Sequence, residues 1–163
     1  MFLTVDVSKA FLQGATYEEL HQLTGEAPRE VCFTLPKGMA EMIRQLPGYE
    51  DYDERYHCLK CDKPGTGAKD APRAFSIKLA TVTRSKLVGL RPTTFDQELE
   101  VKHAVVNNRK QPVLLIAKHV DDIKIAGTKK EVSLLMSELE RVFGKLTAHH
   151  DEFTNCGVHH ETS

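Results

Sequence analysis

Tryptophan is missing from this chain of 163 residues, and aromatic residues make up only 7% of it. A core built here has to rest on Leu, Val, Ile and Phe. Cysteine is also scarce. Four residues, Cys32, Cys58, Cys61 and Cys156, are too few for a disulfide-dense scaffold at this length, so a reducing compartment is expected. No apolar run approaches the roughly 20 residues of a membrane span. The opening Met1-Phe2-Leu3-Thr4-Val5-Asp6 has no basic leader and reads as no secretory signal. An excess of positive charge is missing too. Lys plus Arg total 22 against 23 Asp plus Glu, a net charge of -1. That excludes the basic footprint of a free-standing DNA-binding protein, though not a local basic groove. What remains is 40% hydrophobic and 28% charged residues, the balance of a folded chain about one domain long.

The pattern along the chain predicts mixed elements. Phe2–Val7 is β-prone and carries an acid near its end, so the chain opens as if in the middle of a buried strand and is expected to be a fragment. Tyr17–Leu23 reads as a short helix closed by Gly25. Val31–Leu35 and Tyr56–Cys61 read as strands, Met39–Leu46 as a helix, and Tyr49–Arg55 as a solvated acidic loop. A helix is predicted from Asp70 to Val88, with Asp70 as its N-cap and Pro72 in its first turn. Phe95–Val106 is expected to be extended and to turn at Asn107-Asn108-Arg109-Lys110. Val113–Ala117 is unbroken and apolar, as in a strand buried on both faces, whereas Ile123–Gly127 alternates. Thr128–Phe143 is the clearest helix. Thr128 caps it, Glu131 occupies the capping-box position, and Val132, Leu135, Met136, Leu139 and Phe143 form one apolar face. The order of elements, with no regular βα alternation, predicts an α+β fold with a mainly antiparallel sheet.

Three carboxylates fall at strand ends. Asp6 ends the first strand, and Asp121 and Asp122 sit in the bend of a tight hairpin. If the first strand lies beside that hairpin, Asp6 and Asp121 face each other. Facing carboxylates repel unless a cation sits between them, and hard divalent ions favour such oxygen ligands together with phosphates. Phe11, five residues past Asp6, is near enough to wall a sugar pocket. The plainer alternative is an Asp-Asp turn in which each carboxylate bonds its own backbone.

Four segments in order resemble the palm motifs of copia-type retrotransposon reverse transcriptases. They are Val5-Asp6-Val7-Ser8-Lys9-Ala10-Phe11-Leu12-Gln13-Gly14, Val31-Cys32-Phe33-Thr34-Leu35-Pro36-Lys37-Gly38, Gly67-Ala68-Lys69-Asp70-Ala71-Pro72-Arg73-Ala74-Phe75, and the hairpin Leu114–Gly127 around His119-Val120-Asp121-Asp122. Phe143 and Asn155-Cys156-Gly157-Val158 resemble weaker downstream motifs. The resemblance implies a polymerase palm, an antiparallel sheet packed on helices, with partial fingers. Residues 1–163 would be one reverse transcriptase domain truncated at both ends, a piece of a Pol polyprotein. It implies RNA-directed DNA polymerase chemistry by two Mg²⁺ ions, with Mn²⁺ as a substitute. Catalysis would use Asp6, Asp121 and Asp122, and the metal would be held by Asp6, the Val7 carbonyl and Asp121. Ala10, Phe11, Gly67 and Val120 would line the nucleotide site, with Phe11 as the gate against a ribose 2′-hydroxyl. Lys69 and Arg73 would touch nucleic acid. The implied partners are an RNA or DNA template-primer, deoxynucleoside triphosphates and other parts of the polyprotein, with no membrane. The implied location is a cytoplasmic virus-like particle or the nucleus. On this view the fragment does not polymerise by itself. The sequence departs from the motifs at His119, Thr66, Asp70 and Phe75, where the family has Tyr, Tyr, Gln and Trp, and Asp70 sets an acid near the expected phosphate path.

Two other readings compete. Cys58-x-x-Cys61 with Cys156 and His159 offers four ligands for a structural zinc site, although residues three apart on a strand point to opposite faces. A catalytically dead, retrotransposon-derived interaction domain would keep the fold and lose the chemistry. His149-His150 and His159-His160 read as a polar C-terminal tail, and Lys129-Lys130 as a solvated helix end.

Overall fold

The computed structural model describes residues 1–150, 152–155 and 157–161. Its body is a six-stranded sheet in the order β4-β5-β6-β7-β1-β8, antiparallel throughout. The strands are β1 (Phe2–Asp6), β4 (Arg91–Pro92), β5 (Leu99–Val106), β6 (Arg109–His119), β7 (Asp122–Gly127) and β8 (Thr147–His150). The first strand is therefore internal, paired with β7 on one side and β8 on the other.

Strand alternation explains which face is covered. Leu3 and Val5, Leu114 and Ile116, and Ile123 and Ile125 point to one side, and all are buried. Two helices, α3 (Ala71–Thr83) and α4 (Lys129–Phe143), lie on that side. Their Phe75, Leu79 and Val82, and Val132, Leu135, Leu139 and Phe143, complete one continuous core. The expectation that Val113–Ala117 is buried on both faces fails at Leu115, which is 38% exposed. Both helices sit on the same side, so the opposite face is covered only in part. A small hairpin, β9 (Glu152–Asn155) with β10 (Val158–Glu161), reaches it and sets Phe153 against Phe2, with ring centroids 5.0 Å apart. Lys124 Nζ donates to His160 Nε2 at 2.9 Å. His149, His150, His159 and His160 thus belong to paired strands and not to a loose tail.

Local chemistry sets the boundaries. Asn107 and Asn108, with φ of 51° and 57°, make the two-residue turn joining β5 to β6. Thr128 caps α4 by accepting from the Glu131 N–H, but Glu131 does not reach back as a capping box would. Its carboxylate pairs with Lys102 at 2.7 Å. Helix α3 is shorter than expected. It ends at Thr83 because the chain folds back there, with the Leu90 N–H bonded to the Thr83 carbonyl and Val88 and Leu90 buried in the core. Asp70 does not cap α3 with its side chain, which instead pairs with Arg29 at 2.6 Å.

The rest of the chain is loosely built. Helix α1 (Tyr17–Thr24) has a complete capping box of Thr16 with Glu19 and ends at Gly25 as expected. It packs Tyr17 and Leu20 on Ala15 and Ala74 in a small second cluster. The two strands expected around residues 31–35 and 56–61 shrink to β2 (Cys32–Phe33) and β3 (Leu59–Lys60), paired only with each other. The helix expected at 39–46 shrinks to α2 (Ala40–Ile43). Cys32, Phe33 and Lys60 of this ribbon are exposed and Leu59 is only half-buried, so the two strands gain little from burial.

Candidate active site

Across one end of the sheet runs a row of paired residues. His119 of β6 is opposite Asp122 of β7, Asp122 is opposite Asp6 of β1, and Asp6 is opposite Thr147 of β8. Paired residues in antiparallel strands have Cα atoms about 4.5–5.5 Å apart and side chains on one face. The first strand thus lies beside the hairpin, as the carboxylate argument requires. The direct partner of Asp6 is Asp122, however, and not Asp121 as expected from sequence. Asp121 occupies the two-residue bend with Val120, because β6 ends at His119 and β7 resumes at Asp122. Asp6 is exposed, while Asp121 and Asp122 are half-buried.

The bend itself is strained. Val120 has a φ of 57°, a left-handed conformation that a β-branched residue rarely adopts. The strands on either side, packed into the main core, hold it there. The strain falls one residue before the acid that the motif assigns to catalysis.

Val7 follows Asp6 and points into the core, 1% exposed. Only its backbone is free to face a ligand. Ala10 is likewise buried and Phe11 packs against the edge of the core, both in a 3-10 turn at Ala10–Gln13. That turn sits on α3, and Gly14 eases the close approach of the two backbones. A Cβ there would lie 3.0 Å from the Phe75 backbone nitrogen. Beneath the bend lies a cleft of about 410 Å³ lined by Pro72, Arg73, Ser76 and Ile77 of α3, by Glu98, and by Lys118, His119 and Val120. The expected residues Arg73 and Val120 meet in this cleft. Among the described contacts none ties Gly67 or Lys69 to it. Both are exposed in the turn before α3, with Gly67 at a φ of 89°.

The charges are arranged differently from the expectation. Arg73 is held by Glu26 through two hydrogen bonds of 2.6 and 2.9 Å. Behind the bend, Lys118 is 1% exposed and donates to the fully buried Glu100 at 2.8 Å, with Glu98 at 3.4 Å. Arg84 reaches the same Glu100 oxygen at 2.7 Å. Burial pushes the Glu100 carboxyl up, but the bonds from Lys118 and Arg84 outweigh it and hold its pKa below the ordinary value. Sequence reading missed this network. The available signal was a charge at Lys118, in step with the inward Leu114 and Ile116.

The donor set of Asp6, Asp121 and Asp122 is all hard oxygen and suits Mg²⁺ or Mn²⁺. Among the described residues no three His, Cys, Asp or Glu side chains gather into a metal-holding group. The zinc arrangement also does not assemble there. Cys58 is exposed, Cys61 is half-buried against the second cluster, and Cys156 lies outside the described residues. No helix among the described residues is long and apolar enough to cross a membrane. Comparison with family models, with curated proteins and with solved structures found no match for the chain.

Proposed function

We propose that this chain is the palm-centred part of a copia-type reverse transcriptase, built for two-metal nucleotidyl transfer. The observation that carries the reading is the register that sets Asp6 across from Asp122, next to Asp121 in a strained bend. In this reading Mg²⁺ or Mn²⁺ binds Asp6, the Val7 carbonyl and Asp121. When bound, such ions activate a primer 3′-hydroxyl and stabilise the leaving pyrophosphate. The chain's own part is positional. The β1–β7 pairing fixes the acids at one sheet end, and Phe11 lies against the core five residues beyond Asp6. Positioning and preorganised charge supply most of the rate in such reactions. Asp6 and Asp122 alternate with the buried Val5 and Ile123, so they lie on the sheet face opposite α3 and α4, and the template-primer would run along that face.

A specific observation supports the second reading, an interaction domain that has lost catalysis. Arg73 is neutralised within the chain, and Asp70, salt-bridged to Arg29, stands on the expected phosphate path.

The test is Mn²⁺ binding followed by electron paramagnetic resonance, a readout that does not require the isolated fragment to polymerise. Asp6→Asn and Asp121→Asn should each weaken Mn²⁺ binding at least about 10-fold. If the native chain binds Mn²⁺ no better than these variants, the polymerase reading falls and the interaction reading takes its place.

A further inference from the structure

The β2–β3 ribbon, far in sequence from the carboxylates, carries a pair of thiols. Cys32 pairs with Lys60 and Phe33 with Leu59. Cys58 lies two residues before Lys60, so strand alternation sets Cys32, Lys60 and Cys58 on one side of the ribbon. Cys61 falls on the other side. Its N–H bonds the Val31 carbonyl at 2.8 Å, and it packs against the cluster of Tyr17 and Leu20. Cys32 and Cys58 are both exposed. Cys32 and Cys58 are diagonal neighbours across the ribbon, and the nearby Cys58 thiol pushes the Cys32 thiol above its ordinary pKa.

Diagonal neighbours in an antiparallel pair average about 7–8 Å between Cα atoms. That exceeds the roughly 4.4–6.8 Å that a disulfide usually spans, so closing the bond requires the backbone to move, and a bond formed under such strain is more readily reduced. A ribbon with two residues in each strand, exposed at Cys32, Phe33 and Lys60, can take up that movement. A pair with these properties is reversible rather than structural.

We propose that Cys32 and Cys58 form a redox-active dithiol that takes oxidising equivalents from small disulfides of the glutathione type and closes a reversible staple across the ribbon. The Cys58 thiol gives its proton to solvent, and the thiolate attacks one sulfur of the small disulfide. A mixed disulfide forms and one small thiolate leaves, taking up a proton. Cys32 then loses its proton and attacks the Cys58 sulfur, which expels the second small thiolate. Two protein thiols are oxidised, and one small disulfide is reduced to two thiols. The staple closes the loop of residues 33–57, which holds α2 and the acidic turn. It does not depend on the polymerase reading.

The experiment incubates the full chain with glutathione disulfide, blocks remaining thiols, and maps the products by peptide mass spectrometry. The expected result is one internal Cys32–Cys58 crosslink, with free thiols falling from four to two and returning on reduction. A protease cut between residues 33 and 57 should then leave two pieces joined on a non-reducing gel. Cys32→Ser and Cys58→Ser should each block the crosslink and trap a glutathione adduct on the remaining partner. Cys61→Ser should leave the crosslink intact. Because both positions are exposed, circular dichroism of the two Ser variants should match the native chain. A Cys58–Cys61 crosslink as the main product would overturn the proposal. So would a crosslink that survives Cys32→Ser, or adducts on Cys32 and Cys58 of the native chain with no crosslink.

Discussion

Val31–Leu35 and Val113–Ala117 both read as strands, yet the first yields two exposed residues and the second lies inside an eleven-residue strand. The difference lies in their neighbours. Strand β6 is paired along both edges, by β5 and β7, and its Leu114 and Ile116 lie under helices. Strand β2 has only β3, and Cys32 and Phe33 remain exposed. A two-stranded ribbon alone is marginal in water, because ladder hydrogen bonds without burial barely offset the entropy of ordering the chain. Strand length in this molecule follows packing more than propensity.

The same contrast holds for charge. Lys118 is buried against Glu100, whereas Lys60 meets Glu30 at 3.4 Å on the open ribbon. The largest effect expected is therefore Lys118→Met, which leaves Glu100 with Arg84 as its one remaining cation among the described contacts and should cost about 4 kcal/mol in urea unfolding. Lys60→Met should change stability by less than about 0.5 kcal/mol. Equal effects would show that burial does not separate the two regions. The network also has a pH signature. The folded Glu100 pKa lies below the unfolded one, so its contribution is present above the unfolded value of about 4.3 and is lost as pH falls through the folded value. Stability measured from pH 6 down to 2 should drop less steeply in Glu100→Gln than in the native chain.

Next in size is the core itself. Leu79→Ala, at a site with no exposure, should cost about 3 kcal/mol by thermal or urea unfolding. Phe33→Ala, at a site 47% exposed, should cost less than about 1 kcal/mol. A large loss at Phe33 would mean that the ribbon has a core of its own.

The smallest effects test where strain is kept. Val120→Gly removes the penalty of a β-branched residue at positive φ and should stabilise the chain by about 1 kcal/mol. Gly48→Ala, at a φ of 85° in the open loop, should cost about 1 kcal/mol by the reverse effect. If Val120→Gly destabilises, the bend is held by side-chain contacts of Val120 and not merely tolerated by the strands around it.

Much of the body was legible in the residues. The apolar face of α4, the strand that Asp6 ends, and the hairpin around Val120 and Asp121 all follow from local periodicity and turn chemistry. The partner of Asp6 was not legible, because a shift of one residue in register moves the opposite position from Asp121 to Asp122. Neither were the destinations of Asp70 and Glu131. Both read as helix caps, yet Asp70 pairs with Arg29 and Glu131 with Lys102. A carboxylate near a helix start chooses between backbone N–H groups and a cation, and only the fold brings the cation within reach.

The sequence by itself determined helices α1, α3 and α4, the central strands β1, β6 and β7, the antiparallel α+β character and the apolar face of α4, since these depend on spacings of two and of three to four residues. Tertiary structure alone decided that β1 lies between β7 and β8, that a lysine on the inward face meets a buried glutamate, and that Cys32 and Cys58 share one side of a ribbon while Cys61 faces the other. Each of these is a contact between residues far apart in the chain. Its energy depends on distance and solvent exclusion, and neither exists until the chain has packed.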